Sequence, residues 1–200
     1  MTRSIWNLDI LTSREFADLY PSYTEELNPK NCASCDAVLS SDPRPQVVTW
    51  EHPGRPIADF IFCYGHDVVQ RRIASEFLRV EPAFDLEELD FGDDPDRDAD
   101  LVILNPTHLV DPLPQSTLVI DEQCEACGAI DYDELVGVED EDEPREPGKG
   151  FFVAAQDVSG HLFFRPRHTG LLLCTDEGRR WVENQTYSNV QFLEYGELVE

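Results

Sequence analysis

Nowhere in this 200-residue sequence do 18 apolar residues run together, so no membrane-crossing helix is expected. The opening, MTRSIWNLDILTSREF, reaches charged residues too soon to supply a signal-peptide apolar core or a small-residue cleavage site, which makes the cytoplasm the expected location. Positive charge is scarce: 15 Lys and Arg stand against 41 Asp and Glu, a formal net charge of −26. Such a chain repels phosphate backbones and anionic lipid, so nucleic acid and membrane surfaces are disfavoured as partners and basic proteins are favoured. The common catalytic signatures are missing too. There is no GxSxG, no P-loop and no GxGxxG, and His52, His66, His108, His161 and His168 form no HxxxH or HxH pair. No enzymatic constellation stands out, and the protein is expected not to be an enzyme.

What is present is acid in two dense runs. Residues 85–100 and 131–146 each hold nine acids and one arginine, and together they supply −16 of the −26. Runs this dense repel themselves and belong in solvated or mobile segments. VEDEDEPREPGKG, 138–150, with two prolines and closing glycines, reads as a mobile loop.

Apolar periodicity divides the chain into short elements. Ile5–Ile10 reads as a strand or extended arm, and TSREFADLYPSYTEEL as a helical turn stopped near Pro21. PQVVTWE (45–51) and ADFIFCY (58–64) read as strands, the second apolar enough to be buried on both faces. HDVVQRRIASEFLRV (66–80) carries Val69, Ile73, Phe77 and Val80 at helical spacing and predicts an amphipathic helix. ADLVILNP (99–106) and STLVIDEQC (116–124) are strand candidates. KGFFVAAQD (149–157) and GHLFFRPR (160–167) read as a hairpin about the turn sequence DVSG. GLLLCTDEGRRWVENQ (170–185) reads as a strand end entering a helix, and YSNVQFLEY (187–195) as a strand. The expected fold class is α+β: mixed strands and two amphipathic helices in one compact domain, 1–200. CxxC, strand, helix, strand recurs, which suggests a pseudo-repeat of halves 1–100 and 101–200.

Six cysteines in a chain of this type point to metal or thiol chemistry before disulfides. Four form the CxxC pairs Cys32/Cys35 and Cys124/Cys127, and Gly128 follows the second pair where a turn of backbone amides toward thiolates favours glycine. Two such knuckles supply the four soft ligands of a structural Zn²⁺ site, which would join the two halves. The 88 residues between Cys35 and Cys124 cost little, because loop-closure entropy grows only logarithmically. Two separate thiol or disulfide pairs are the alternative, and His52 or His168 could replace one sulfur ligand. A redox role needs CxxC at a helix N-terminus with a lowered thiolate pKa, and the acids around CEACGAIDYDE oppose that. Cys63 and Cys174, inside FIFCY and LLLCT, read as small buried hydrophobes.

CASCD and CEACG, with their surroundings, resemble the double-CXXCG motif proteins of myxobacteria, a family that includes immunity proteins of swarming-inhibition toxin systems. LYPSYTEELNP is similar to that family's lead-in, ADFIFCYGHDVVQRRIASEFLR to its central segment, and HLFFRPRHTGLLLCTDEGRRWVENQTYSNVQF to its C-terminal signature. Asp36 departs from the pattern, standing where the first motif would have glycine. The resemblance implies an immunity protein that neutralises a cognate toxin by occlusion. A basic toxin would meet Asp93, Asp94, Asp96 and Asp98 in the first acidic run, and Asp140, Glu141, Asp142 and Glu143 in the second. The alternative is a zinc-ribbon-like adaptor with no toxin partner.

Overall fold

The computed structural model describes residues 3–11, 15–21, 34, 46–52, 54–63, 66–92, 100–126, 130–135, 145–167 and 171–200. Among them the chain forms fourteen strands, two α-helices and one 3-10 turn. In chain order these are β1 (Arg3–Ile10), β2 (Asp18–Pro21), β3 (Gln46–Glu51), β4 (Phe60–Cys63), β5 (His66–Gln70), α1 (Arg71–Val80), β6 (Phe84–Asp90), β7 (Leu101–Pro106), β8 (Leu109–Val110), β9 (Leu118–Gln123), β10 (Ile130–Leu135), β11 (Phe151–Ala154), the 3-10 turn (Ala155–Val158), β12 (Phe163–Pro166), β13 (Leu173–Thr175), α2 (Asp176–Glu183) and β14 (Val190–Val199).

Strand dominates, and the expected α+β class with its knuckle-pair joint is corrected on that ground. The helices are 10 and 8 residues long, and what joins the sheets is a shared apolar core. Two segments account for much of the error. Within 66–80 the first five residues form β5, because the β-branched pair Val68 and Val69 sends one side chain to each face of a sheet buried on both sides. Helix begins only at Arg71. The predicted helical turn before Pro21 instead ends in β2, antiparallel to β3, with Leu19 buried. The predicted hairpin also fails: β11 pairs with β14 and β12 with β13, so two strands adjacent in sequence lie apart in the sheet.

Two six-stranded sheets carry the fold. The first runs β11-β14-β1-β13-β12-β8, the second β2-β3-β6-β7-β5-β4. Each curls toward closure. Beyond β8, the N–H of Leu113 reaches the Phe152 carbonyl at 2.8 Å and that of Thr117 the Gly150 carbonyl at 3.0 Å, tying the β8 end of the first sheet to β11. In the second, the end strands β2 and β4 approach each other, and Ala17 donates to the Pro56 carbonyl at 2.9 Å.

Alternation along the strands sorts the apolar side chains into three clusters. Leu19, Val48, Ile61, Cys63, Val68, Leu101 and Ile103 fill the inside of the second sheet. Ile5, Phe151, Val153, Phe164, Leu173 and Leu198 fill the inside of the first. Their neighbours Leu8, Phe60, Val69, Val102, Leu104, Phe163 and Cys174 face the other way and meet in the common core between the sheets. Both helices cover that core. Ile73, Ala74 and Phe77 point inward from α1, and Gly178 and Val182 from α2. Phe77 is the hub, within 4.9 Å ring to ring of both Phe163 and Trp181.

Candidate functional site

The second CxxC motif sits on a separate two-stranded ribbon of β9 and β10. The strands are antiparallel, Gln123 facing Ile130 and Leu118 facing Leu135, with register shifts near Tyr132. Cys124 opens the connection between them, where Glu125 and Ala126 form a turn. Gln123, Glu125 and Ala126 are exposed, yet Cys124 is only 7 % accessible. The described residues of the motif follow β9, and β10 begins at Ile130.

Of the predicted zinc ligands, Cys32, Cys35 and Cys127 lie outside the described residues. Ser34, between the first pair, is an exposed turn residue, as Glu125 and Ala126 are between the second. The first motif falls between β2 and β3, the second between β8 and β11. Among the described residues no group of three or more His, Cys, Asp or Glu is placed to hold a metal, a set that includes Cys124 alone of the four. The residues present fit a tetrathiolate to this extent: the one described sulfur is buried on a tight turn, and the described residues between each cysteine pair are exposed turn. His52 is exposed, and His168 lies outside the described residues. Asp93, Asp94, Asp96, Asp98, Asp140, Glu141, Asp142 and Glu143 also lie outside them. The predicted mobile loop at 138–150 is described from Arg145 onward. There the Arg145 side chain is 6 % exposed, paired with Glu194 and Glu197 on β14. Cys63 and Cys174 are buried as expected, and burial pushes the Cys63 thiol up to about 11 and raises the Cys174 thiol as well.

No protein-family model and no curated protein matches this chain.

Motif reasoning passed over two polar clusters that bridge the sheets. Glu81, directly after α1, is 2 % exposed; its carboxylate accepts the Leu162 N–H at 2.9 Å and the Ala83 N–H at 3.2 Å, and lies 3.3 Å from Nδ1 of His161. The His161 ring stacks on His108 with centroids 3.7 Å apart, and Nε2 of His108 lies 2.6 Å from the Asp157 carbonyl. Across the core, Ser188 after α2 donates its N–H to Asp59 at 2.8 Å, and Asn189 donates to the Phe60 carbonyl at 2.9 Å. In each case the turn after one helix latches onto the start of the other sheet's strand, β12 or β4. Histidines 53 residues apart carry no local signal, which is why spacing alone could not reveal this stack. A cavity of about 310 Å³ lies between the helices, lined by Glu76, Arg79, Val80, Trp181 and Gln185. The Glu76 carboxylate accepts the Tyr187 hydroxyl. Glu76 and Glu81 thus each join two elements through hydrogen bonds.

Among the described residues no helix is long and apolar enough to cross a membrane.

Proposed function

We propose that this chain is a non-enzymatic cytoplasmic immunity protein. It binds a basic protein toxin and covers the toxin's working surface, while Cys32, Cys35, Cys124 and Cys127 hold a structural Zn²⁺. The observation that carries the zinc reading is Cys124: a thiol 7 % accessible on a turn whose neighbours face solvent. Four thiolates close the coordination sphere, leave no open position for substrate, and supply folding energy in place of catalysis. The toxin reading rests on the resemblance of the two cysteine motifs and the C-terminal segment, and on the −26 charge, which speeds docking of a basic partner.

Metal analysis of full-length protein purified under reducing conditions tests the first part. About one zinc per chain is expected, lost when Cys124 or Cys127 is replaced by serine. Metal-free, fully folded protein would overturn it. Co-expression with the product of the adjacent gene, scoring survival and complex formation together, tests the second. Zinc without protection would leave the adaptor reading standing.

A further inference from the structure

The two sheets are built to one plan. In the second, β3 runs parallel to β6, and β6, β7, β5 and β4 follow in antiparallel succession. In the first, β11 runs parallel to β14, and β14, β1, β13 and β12 follow in antiparallel succession. Over these five strands order and sense agree; the sixth strands differ, β2 lying antiparallel beside β3 and β8 parallel beside β12. The helices agree as well, α1 lying between β5 and β6 and α2 between β13 and β14. The latches complete the match, Glu81 onto Leu162 from one side and Ser188 onto Asp59 from the other.

Divided between β6 and β7, each half of the chain gives its leading strand, β1 or β7, to the sheet built by the rest of the other half. The place of β7, which follows β6 in sequence, is taken in the first sheet by β1, from the opposite end of the sequence. We infer that β1 and β7 are exchanged strands of a duplicated unit, and that the slots between β13 and β14 and between β5 and β6 are interaction surfaces. The partner each slot fits is an extended, alternating apolar strand from the other half.

The contacts are substantial. β1 pairs with β14 from Arg3 to Ile10 and with β13 from Ile5 to Asn7, and it buries Ile5, Leu8 and Ile10. β7 pairs with β6 and β5 and buries Leu101, Val102, Ile103 and Leu104. Withdrawing either strand splits a sheet through its middle, bares two unpaired edges and opens the apolar clusters on both faces. Neither sheet is therefore complete without the other half. The unit of folding is the pair.

The test uses the full chain with a specific protease sequence placed within 93–99, between β6 and β7, and cut after folding. The two fragments are expected to elute together at the mass of the intact protein. Amide protection in β13 and β14 should be lost in the same denaturant step as protection in β5 and β6. Tenfold dilution should lower the unfolding midpoint of the cut protein and leave that of the uncut protein unchanged, since only the former dissociates. A second cut within 12–14 separates the strand assignment from general adhesion: the β1 peptide should copurify with the 100–200 fragment, although the sequence joins it to β2. Fragments that part in native buffer, one sheet keeping its protection after the other has lost it, or a β1 peptide that leaves the C-terminal fragment would each overturn the inference.

Discussion

Asp67 shows how a single side chain can set a pH dependence that no motif announces. It lies on β5 opposite Phe62 of β4, where burial pushes its carboxyl from 3.8 up to about 7, the charge of Asp9 adds to the rise, and Arg165 opposes it. The folded pKa exceeds the unfolded one, so on raising the pH the unfolded chain loses its proton first. Folding is therefore penalised from about pH 4 upward, and the penalty levels off above about pH 7, at an order of a few kcal/mol. Asp67→Asn removes that penalty. Urea melts should show the variant more stable than the parent at about pH 8 and nearly equal to it at about pH 4; parallel pH profiles would count against this account. At this scale the sequence was partly readable. FIFCY and LLLCT placed Cys63 and Cys174 in the core correctly, Cys63 alternating along β4 with the 55 % exposed Phe62. Glu81 and the Arg145 side chain could not be found that way, since a charge that is buried only by distant strands leaves no local trace.

Among the elements, α2 is packed closely against its neighbours. Thr175 caps it, its side chain accepting the Gly178 N–H at 3.2 Å, and Asp176 and Glu177 occupy its first turn, where the helix dipole favours acid. Gly178 faces the core, and a Cβ there would stand 2.6 Å from the Leu162 carbonyl oxygen and 3.0 Å from Cβ of Cys174. That carbonyl already accepts the Thr175 N–H at 3.0 Å and cannot swing away freely. Alanine normally gains about 1 kcal/mol over glycine inside a helix. Gly178→Ala is nevertheless expected to lose stability, by about 1–3 kcal/mol, through overpacking. Thermal melts measure this directly, and a raised Tm would show that α2 can lift off its bed. Most strands were legible from apolar runs, as were both helices in part. The misreadings at 66–70 and near Pro21 share one cause: HDVVQ and DLYP are too short to fix a period, and strand pairing decides it. β11 and β12 misled for another reason, since a turn sequence says that the chain bends and not which strand it joins.

For the whole molecule the governing quantity is charge. Exposed pairs such as Arg3–Glu200 and Arg167–Asp111 are solvent-screened and add too little to offset the self-repulsion of a −26 chain. Added salt screens that repulsion over a distance that shrinks from tens of ångströms to a few. Raising NaCl from about 20 mM to about 0.3 M is therefore expected to raise Tm by roughly 3–6 °C, equivalent to one or two kcal/mol for a chain of this size. A Tm that falls with salt would mean that local ion pairs outweigh the net charge. The strand-rich architecture was the least legible property of all. Composition and local period carry no record of which strands are neighbours, and here the neighbours of β1 stand more than 160 residues away in sequence.

That separation also orders events as the polypeptide leaves the ribosome. Every strand of the second sheet has been synthesised once Pro106 is in place, and its ladder can close at that point. β1 is made before any of them, but its partners β13 and β14 are translated after all of them. β1 thus waits for strands made long after it, and Trp6, Leu8 and Ile10 stay unsheltered by their own sheet until β13 and β14 emerge.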